Sequence, residues 1–248
     1  MKNIQKLFLI LALTLALTHT FSCAKKADEK TSAELDYSKA AKLLKQKSYS
    51  EAADAFEKID SDFPFSKWAI KGQSMAVFAR YKEENYTKLL QIADDFLRLN
   101  PSSEYVPYML YMKGQSYYNQ IPSIERAQDN TQQASFIFRE LIARFPVDEH
   151  TDDAREKLSF VDEHLAGAKM SVGRYQIKTG NYIGAIENFK DVILRYRHTN
   201  QVPEAYFRIT EIYYKLGLKS EGQKSFAKLS TKFPQNHWTA LAIKIVEQ

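Results

Sequence analysis

The side chains that could do chemistry are few and scattered. Five histidines, His19, His150, His164, His198 and His237, stand far apart along the chain. A zinc site needs three or four donors at short, fixed spacings, and a general acid–base pair needs two groups that converge. The densest cluster of ionisable groups is Asp148, Glu149, His150, Asp152 and Asp153. Those carboxylates sit where a helix begins, and the helix dipole favours negative charge there, so a charged turn accounts for them without a metal. There is no His-Glu-x-x-His, no Cys-x-x-Cys, no glycine-rich phosphate loop and no Gly-x-Ser-x-Gly elbow. No catalytic residue, metal or cofactor is expected, and the chain reads as a binding scaffold.

Covalent chemistry has one further candidate, the lone cysteine Cys23. Lys2 and Lys6 precede an apolar run from Leu7 to Leu17 that is too short to span a bilayer, the pattern of a cleaved export signal over residues 1–22. Cys23 follows that signal and opens a polar stretch, 23–34, expected to be a flexible tether. Its placement resembles the lipobox of bacterial lipoproteins: Ser22 fits, while Thr20 and Phe21 replace the usual residues. Two readings stay open. Either Cys23 becomes the lipidated first residue of the mature chain, or the signal is an ordinary secretory one and Cys23 is an incidental thiol. A free thiol is a liability in an oxidising compartment, and a thioether to lipid removes it. Two or more acyl chains, at about 0.8 kcal/mol per buried CH₂, would make the anchor effectively permanent.

The rest of the chain repeats one spacing. Tyr49, Ala52, Phe56, Ile59 and Pro64 form a first copy, and Tyr86, Leu89, Ala93, Phe96 and Pro101 a second. Thr131, Ala134, Phe138, Leu141 and Pro146 form a third. Tyr182, Ala185, Phe189 and Val192 make a fourth in which Arg197 replaces the Pro, and Gly222, Phe226, Leu229 and Pro234 a fifth. Each position has a packing role. The small residue lets a facing helix approach, the large one fills the space beside it, and the Pro marks where the helix must stop. Upstream, Ala40, Val77, Gly114, Gly173 and Tyr206 mark the partner helices. The pattern resembles the tetratricopeptide repeat. A single such hairpin cannot bury its own apolar face, so hairpins must stack. The expected fold is all-α: a right-handed superhelix of about five helical hairpins, an α-solenoid, with a capping helix from Trp238 to Val246.

Two irregularities interrupt the register. Gly114 lies twenty residues before Ala134, where Gly173 and Ala185 are twelve apart, so the third hairpin carries an insertion near Gln120 to Asn130, read as a protruding loop or a lengthened turn. Thr151 to Leu165 carries a helix-start signature and helical spacing, and is expected to run on into the fourth unit as one long helix. The chain therefore divides into repeats 1–3 over 35–150, and a linker helix, repeats 4–5 and the last helix over 151–248. The formal charge of +5 drops by two when Lys2 and Lys6 leave with the signal. No Lys/Arg run suggests a polyanion groove, so nucleic acid is not an expected partner.

The run Asp62-Phe63-Pro64-Phe65-Ser66-Lys67-Trp68, then Phe78-Ala79-Arg80-Tyr81-Lys82, Phe96 to Pro101 and Tyr108 to Gly114 resembles the BamD family, also described as ComL-type competence lipoproteins. The similarity includes the interrupted third repeat. The resemblance implies a lipid-anchored protein on the periplasmic face of the outer membrane that belongs to the β-barrel assembly machinery. The implied partners are the POTRA region of a BamA-like barrel subunit, other Bam lipoproteins, and C-terminal signals of unfolded outer-membrane proteins. A different envelope adaptor, serving the Tol-Pal system or peptidoglycan synthesis, shares the same repeats and is the alternative.

A peptide groove would use the inner face of each first helix. Counting from the small residues, that face falls at Tyr37, Ala41 and Leu44, at Ser74, Phe78 and Tyr81, and at Tyr108, Tyr111, Gln115 and Tyr118. The candidate peptide-binding residues are Phe65, Lys71, Phe78, Tyr81, Tyr108, Tyr111 and Tyr118, because Tyr supplies rigid area and a hydroxyl that tolerates water. Packing between neighbouring helices is the competing role for the same rings. For the barrel subunit, the family's arrangement implies Tyr175, Arg195, Tyr196 and Arg197.

Overall fold

The computed structural model describes the backbone of residues 21–247 and the side chains of 32–247. Residues 1–20 of the expected export signal lie outside the described residues, and so does the Cys23 side chain. Among the described residues there are eleven helices and no strand: α1 Phe21–Lys45, α2 Tyr49–Asp62, α3 Lys67–Lys82, α4 Tyr86–Leu99, α5 Val106–Tyr118, α6 Asp129–Arg144, α7 Thr151–Lys178, α8 Tyr182–Arg195, α9 Val202–Lys215, α10 Lys219–Lys232 and α11 His237–Val246. The backbone of the expected tether is thus helical within α1. Consecutive helices pack as antiparallel hairpins within two compact units, one up to Met112 and one from Lys113.

That division differs from the boundary at 150 expected from sequence. Its physical reason is α7. At 28 residues it packs with its first half on α6 and its second half on α8, so the third and fourth hairpins share one element and form a single body. The long helix itself is as the spacing predicts. Thr151 fixes its start by donating its hydroxyl to the Phe145 carbonyl at 2.6 Å, and Thr239 repeats the same bond to Phe233 at 2.6 Å where α11 begins. Asp162, buried midway along α7, accepts from Arg139 Nη2 of α6 through both carboxylate oxygens, at 2.7 and 2.6 Å, and lies 2.9 Å from His198 Nε2 beyond α8.

In the first unit the corresponding polar pin is Arg80. Its side chain is buried on α3 and its guanidinium bonds Glu57 and Asp54 on α2 and Glu83 at the helix end. Burial works against the Glu83 carboxylate, but hydrogen bonds from Arg80, Ser50 and Asn85 outweigh it and hold its pKa below the ordinary value. Removing one partner of such a buried group would leave uncompensated charge.

The small-residue positions set how closely helices approach. A Cβ built on Gly114 would lie 2.5 Å from the Phe138 ring, and one on Gly173 2.5 Å from the Phe189 ring; both rings are buried. Each glycine therefore exists so that an aromatic of the second helix can lie flat against the backbone of the first. Gly167 on the same α7 is different. A Cβ there meets only Ile124 Cγ2 at 3.9 Å, an ordinary contact.

The insertion does not protrude. Gln128 donates to the Ser123 and Arg126 carbonyls, each at 2.9 Å, and Asn130 donates to Gln120 at 3.2 Å. These bonds close the turn on itself, and Ile124 lays it against α7 at Gly167.

Two substitutions on α7 separate close packing from helix propensity. Gly→Ala gains about 1 kcal/mol of helix propensity, while overpacking a filled core costs about 1–3 kcal/mol. Gly167→Ala is expected to raise the thermal midpoint by a few degrees and Gly173→Ala to lower it, as measured by circular dichroism.

Candidate functional site

The first unit gathers aromatic side chains from α1, α3 and the start of α5. Tyr37 on α1 packs its ring 5.0 Å from Trp68 and 5.3 Å from Phe56. Lys71, one turn along α3 from Trp68, holds its ammonium 5.1 Å from the Tyr37 centroid and 5.8 Å from that of Trp68. Further along α3, Lys82 lies 5.4 Å from the Phe78 ring and 5.9 Å from that of Tyr81. Burial, and then the neighbouring Tyr105, raise the Tyr37 hydroxyl pKa. Tyr108 is pushed up further, by burial and then by Tyr111. Both phenols therefore stay neutral donors at any physiological pH. The arrangement is a row of rings interleaved with lysines, suited to apolar and aromatic side chains and, through the ammonium groups, to a carboxylate.

Phe65 stands apart. It occupies the second central position of the Phe63–Ser66 turn after Pro64, where the Ser66 amide closes back on the Phe63 carbonyl at 3.2 Å. Its φ is +65°, a conformation this turn type reserves for Gly or Asn. Its side chain is 99% exposed. A ring in the left-handed region costs about 1–2 kcal/mol, and here no burial offsets it.

The other candidates fall into place unequally. Phe65, Lys71, Phe78, Tyr81, Tyr108 and Tyr111 all belong to the first unit. Tyr118 belongs to the second, where its ring packs 6.4 Å from Phe138 and 5.6 Å from Phe160, with Lys157 5.7 Å from its centroid. Of the other expected face positions, Ser74 and Gln115 are buried. Trp68 and Tyr105 join the first cluster without having been singled out. Trp68 carried a signal, since it sits three residues before Lys71 on one helical face.

In the second unit the folded insertion, α7 and α8 line an open cavity of about 640 Å³. Its lining combines apolar side chains such as Leu165 and Val172 with charged ones, Glu125, Arg126 and Lys169, and includes Tyr175 and Tyr196. Burial, followed by the nearby Asp162, raises the Tyr196 hydroxyl pKa. Two of the four residues expected to meet a partner thus share one concavity. Arg195 and Arg197 are exposed outside its lining; Arg195 Nε lies 3.5 Å from Asp191, and Arg197 donates to the Leu194 carbonyl.

Among the described residues no group of three or more His, Cys, Asp or Glu could hold a metal. At the acidic turn, Asp152 pairs with Arg155 and Asp153 with Lys157. No described helix is long and apolar enough to cross a membrane.

Comparison with known proteins places these features in context. The family described as YfiO, outer membrane lipoprotein, matches residues 28–229. The outer membrane protein assembly factor BamD of Caulobacter vibrioides is 34% identical over 242 residues, covering 95% of this chain and 79% of the relative. That of Rickettsia prowazekii is 31% identical, covering 83% and 82%. Among solved structures, the TPR2AB domain of yeast Sti1 in complex with pHSP90 is 13% identical and superposes with a TM-score of 0.43 over 88% of this chain and 85% of that one.

Phe65→Asn should relieve the left-handed strain. The expected result is a gain of about 1 kcal/mol in denaturant unfolding; a loss would show that the exposed ring contributes to the fold itself.

Proposed function

The chain belongs to the YfiO family of outer membrane lipoproteins, and on that premise we propose that it is an outer membrane protein assembly factor that works by binding other polypeptides, without catalysis. In this reading Cys23 carries the lipid that holds the folded units at the periplasmic face of the outer membrane. The aromatic row of the first unit takes the C-terminal segment of an unfolded β-barrel protein, whose apolar and aromatic side chains lie on Tyr81, Tyr111 and Phe65 while its terminal carboxylate meets Lys71 or Lys82. Phe65 is the observation that carries this: its exposed, left-handed ring stands three residues before Trp68 of the cation–aromatic cluster, and burial by a bound peptide would offset its strain.

The second unit serves a different partner. Its cavity is lined by exposed apolar side chains, Val172 and Tyr175 among them, and exposed apolar surface gathered in a concavity supports a protein docking role. We assign it to the POTRA region of a BamA-like barrel subunit, with Arg195 and Arg197 at its margin. Tyr118 is structural in this account, because its ring already packs between Phe138 and Phe160.

A two-armed experiment tests both surfaces. In the first arm, anisotropy of a labelled decapeptide ending in Phe should show about tenfold weaker binding to Tyr81→Ala/Tyr111→Ala and to Phe65→Asn, since one aromatic anchor contributes about 1–2 kcal/mol. In the second, Val172→Asp/Tyr175→Ala should lose co-purification with the barrel subunit and keep the peptide. Unchanged peptide affinity removes the groove assignment, and unchanged co-purification removes the cavity assignment.

A further inference from the structure

The end of the second unit where α7 turns into α8 and α9 turns into α10 has a chemistry found in neither site above. The two turns share one geometry. Gly180 and Gly217 take φ values of +79° and +74°. The following amides close the caps, Asn181 onto the Gln176 carbonyl at 2.8 Å and Leu218 onto Tyr213 at 2.9 Å. Lys215 joins the two turns: its ammonium lies 5.1 Å from the Tyr182 ring centroid. On this rigid edge three aliphatic side chains stand in solvent, Ile183 at 75%, Leu218 at 50% and Leu216 at 46% exposure. Nothing lies within 4 Å of a Cβ built on either glycine, so the space above the turns is open.

Lysines outnumber acids at this edge, where Glu211 is the acid that acts electrostatically on Lys215. Lys178, Lys215 and Lys219 belong to the two turns, and no acid occurs from Ile177 to Ile186 or from Ile212 to Ser220. None of the three lysines forms an ion pair among the described residues. Of the acids nearby, Glu221 is bound to Lys224 at 2.6 Å and Glu211 to Arg208 at 3.0 Å, while Glu187 lies a turn further along α8. The equivalent turn of the second hairpin reads Glu83-Glu84-Asn85 and carries no exposed aliphatic, so the pattern does not follow from the repeat.

We propose that this edge docks an acidic amphipathic helix of a protein partner, its apolar side chains seated on Ile183, Leu216 and Leu218 and its carboxylates on the lysine rim. Spacing supports a helix. Neighbouring helices lie roughly 8–10 Å apart, close to the ~10.8 Å spanned by two turns of a partner helix, so partner leucines seven residues apart would reach both turns. A lipid surface fits less well. Phosphate-rich membranes are recognised by clusters of about 4–8 basic residues and interfacial anchors by exposed aromatic rings, whereas this edge has three lysines and its Tyr182 is engaged with Lys215.

The test uses the whole chain and a synthetic helical peptide carrying Leu at i and i+7 with Glu between, measured by calorimetry at two salt concentrations. Wild type should bind it, and bind more weakly as salt rises. Lys178→Glu/Lys219→Glu should weaken binding at least tenfold and abolish the salt dependence, and Ile183→Ser/Leu218→Ser should weaken it at least tenfold while keeping that dependence. Circular dichroism of both variants should match wild type, since all four side chains are exposed. No binding by wild type, or equal binding by wild type and both variants, would overturn the proposal. So would sedimentation with phosphatidylglycerol vesicles that both variants lose while peptide affinity is unchanged, which would mark the edge as lipid-facing.

Discussion

The structure depends on how closely two helix backbones can approach inside each hairpin. Where Gly114 and Gly173 face Phe138 and Phe189 the backbone is the packing surface, and the ring of one helix lies directly on the chain of the other. That contact sets the distance between helices, and through it the position of every side chain offset from it. The buried polar pins fix the remaining freedom. Arg80 holds α3 to α2, and Asp162 holds α7 to α6 and to the turn after α8. Within each unit a displaced ring or an unpaired pin would shift the surface that the unit carries, Arg80 the aromatic row and Asp162 the cavity walls.

Much of this was legible in the residues. The small-large-Pro spacing predicts where helices pair and end, and α8 stops at Arg195 even though Arg197 stands where the other copies carry Pro. The continuous α7 also follows from its capping residues and periodicity. What could not be read was anything depending on distances between helices. Tyr108, Ser74 and Gln115 fall on an expected inner face, yet Ser74 and Gln115 are buried and Tyr108 is largely so, because the packing angle decides which offset positions meet a neighbour. The insertion reads as polar, but Ile124 lies against α7 beside Gly167 and makes the turn a wall of the cavity. The left-handed Phe65 was equally hidden, since a Phe-Pro-Phe-Ser turn does not announce which residue takes positive φ.

In the proposed function, binding follows from where side chains are placed. Lysines laid over rings keep their charge at the surface while their stems cover apolar area, so the row in the first unit offers both components of a peptide terminus in one strip. The cavity of the second unit combines apolar and charged side chains in its lining. The two units thus differ in surface chemistry, which is why the proposed function gives each a different polypeptide.

Hydrogen–deuterium exchange on the whole chain, with and without a peptide ending in Phe, addresses the central claim most directly. Added protection should concentrate at the turn 63–66, along Lys67–Lys82 and at 105–111. Protection confined to 165–196, or none anywhere, would contradict the account.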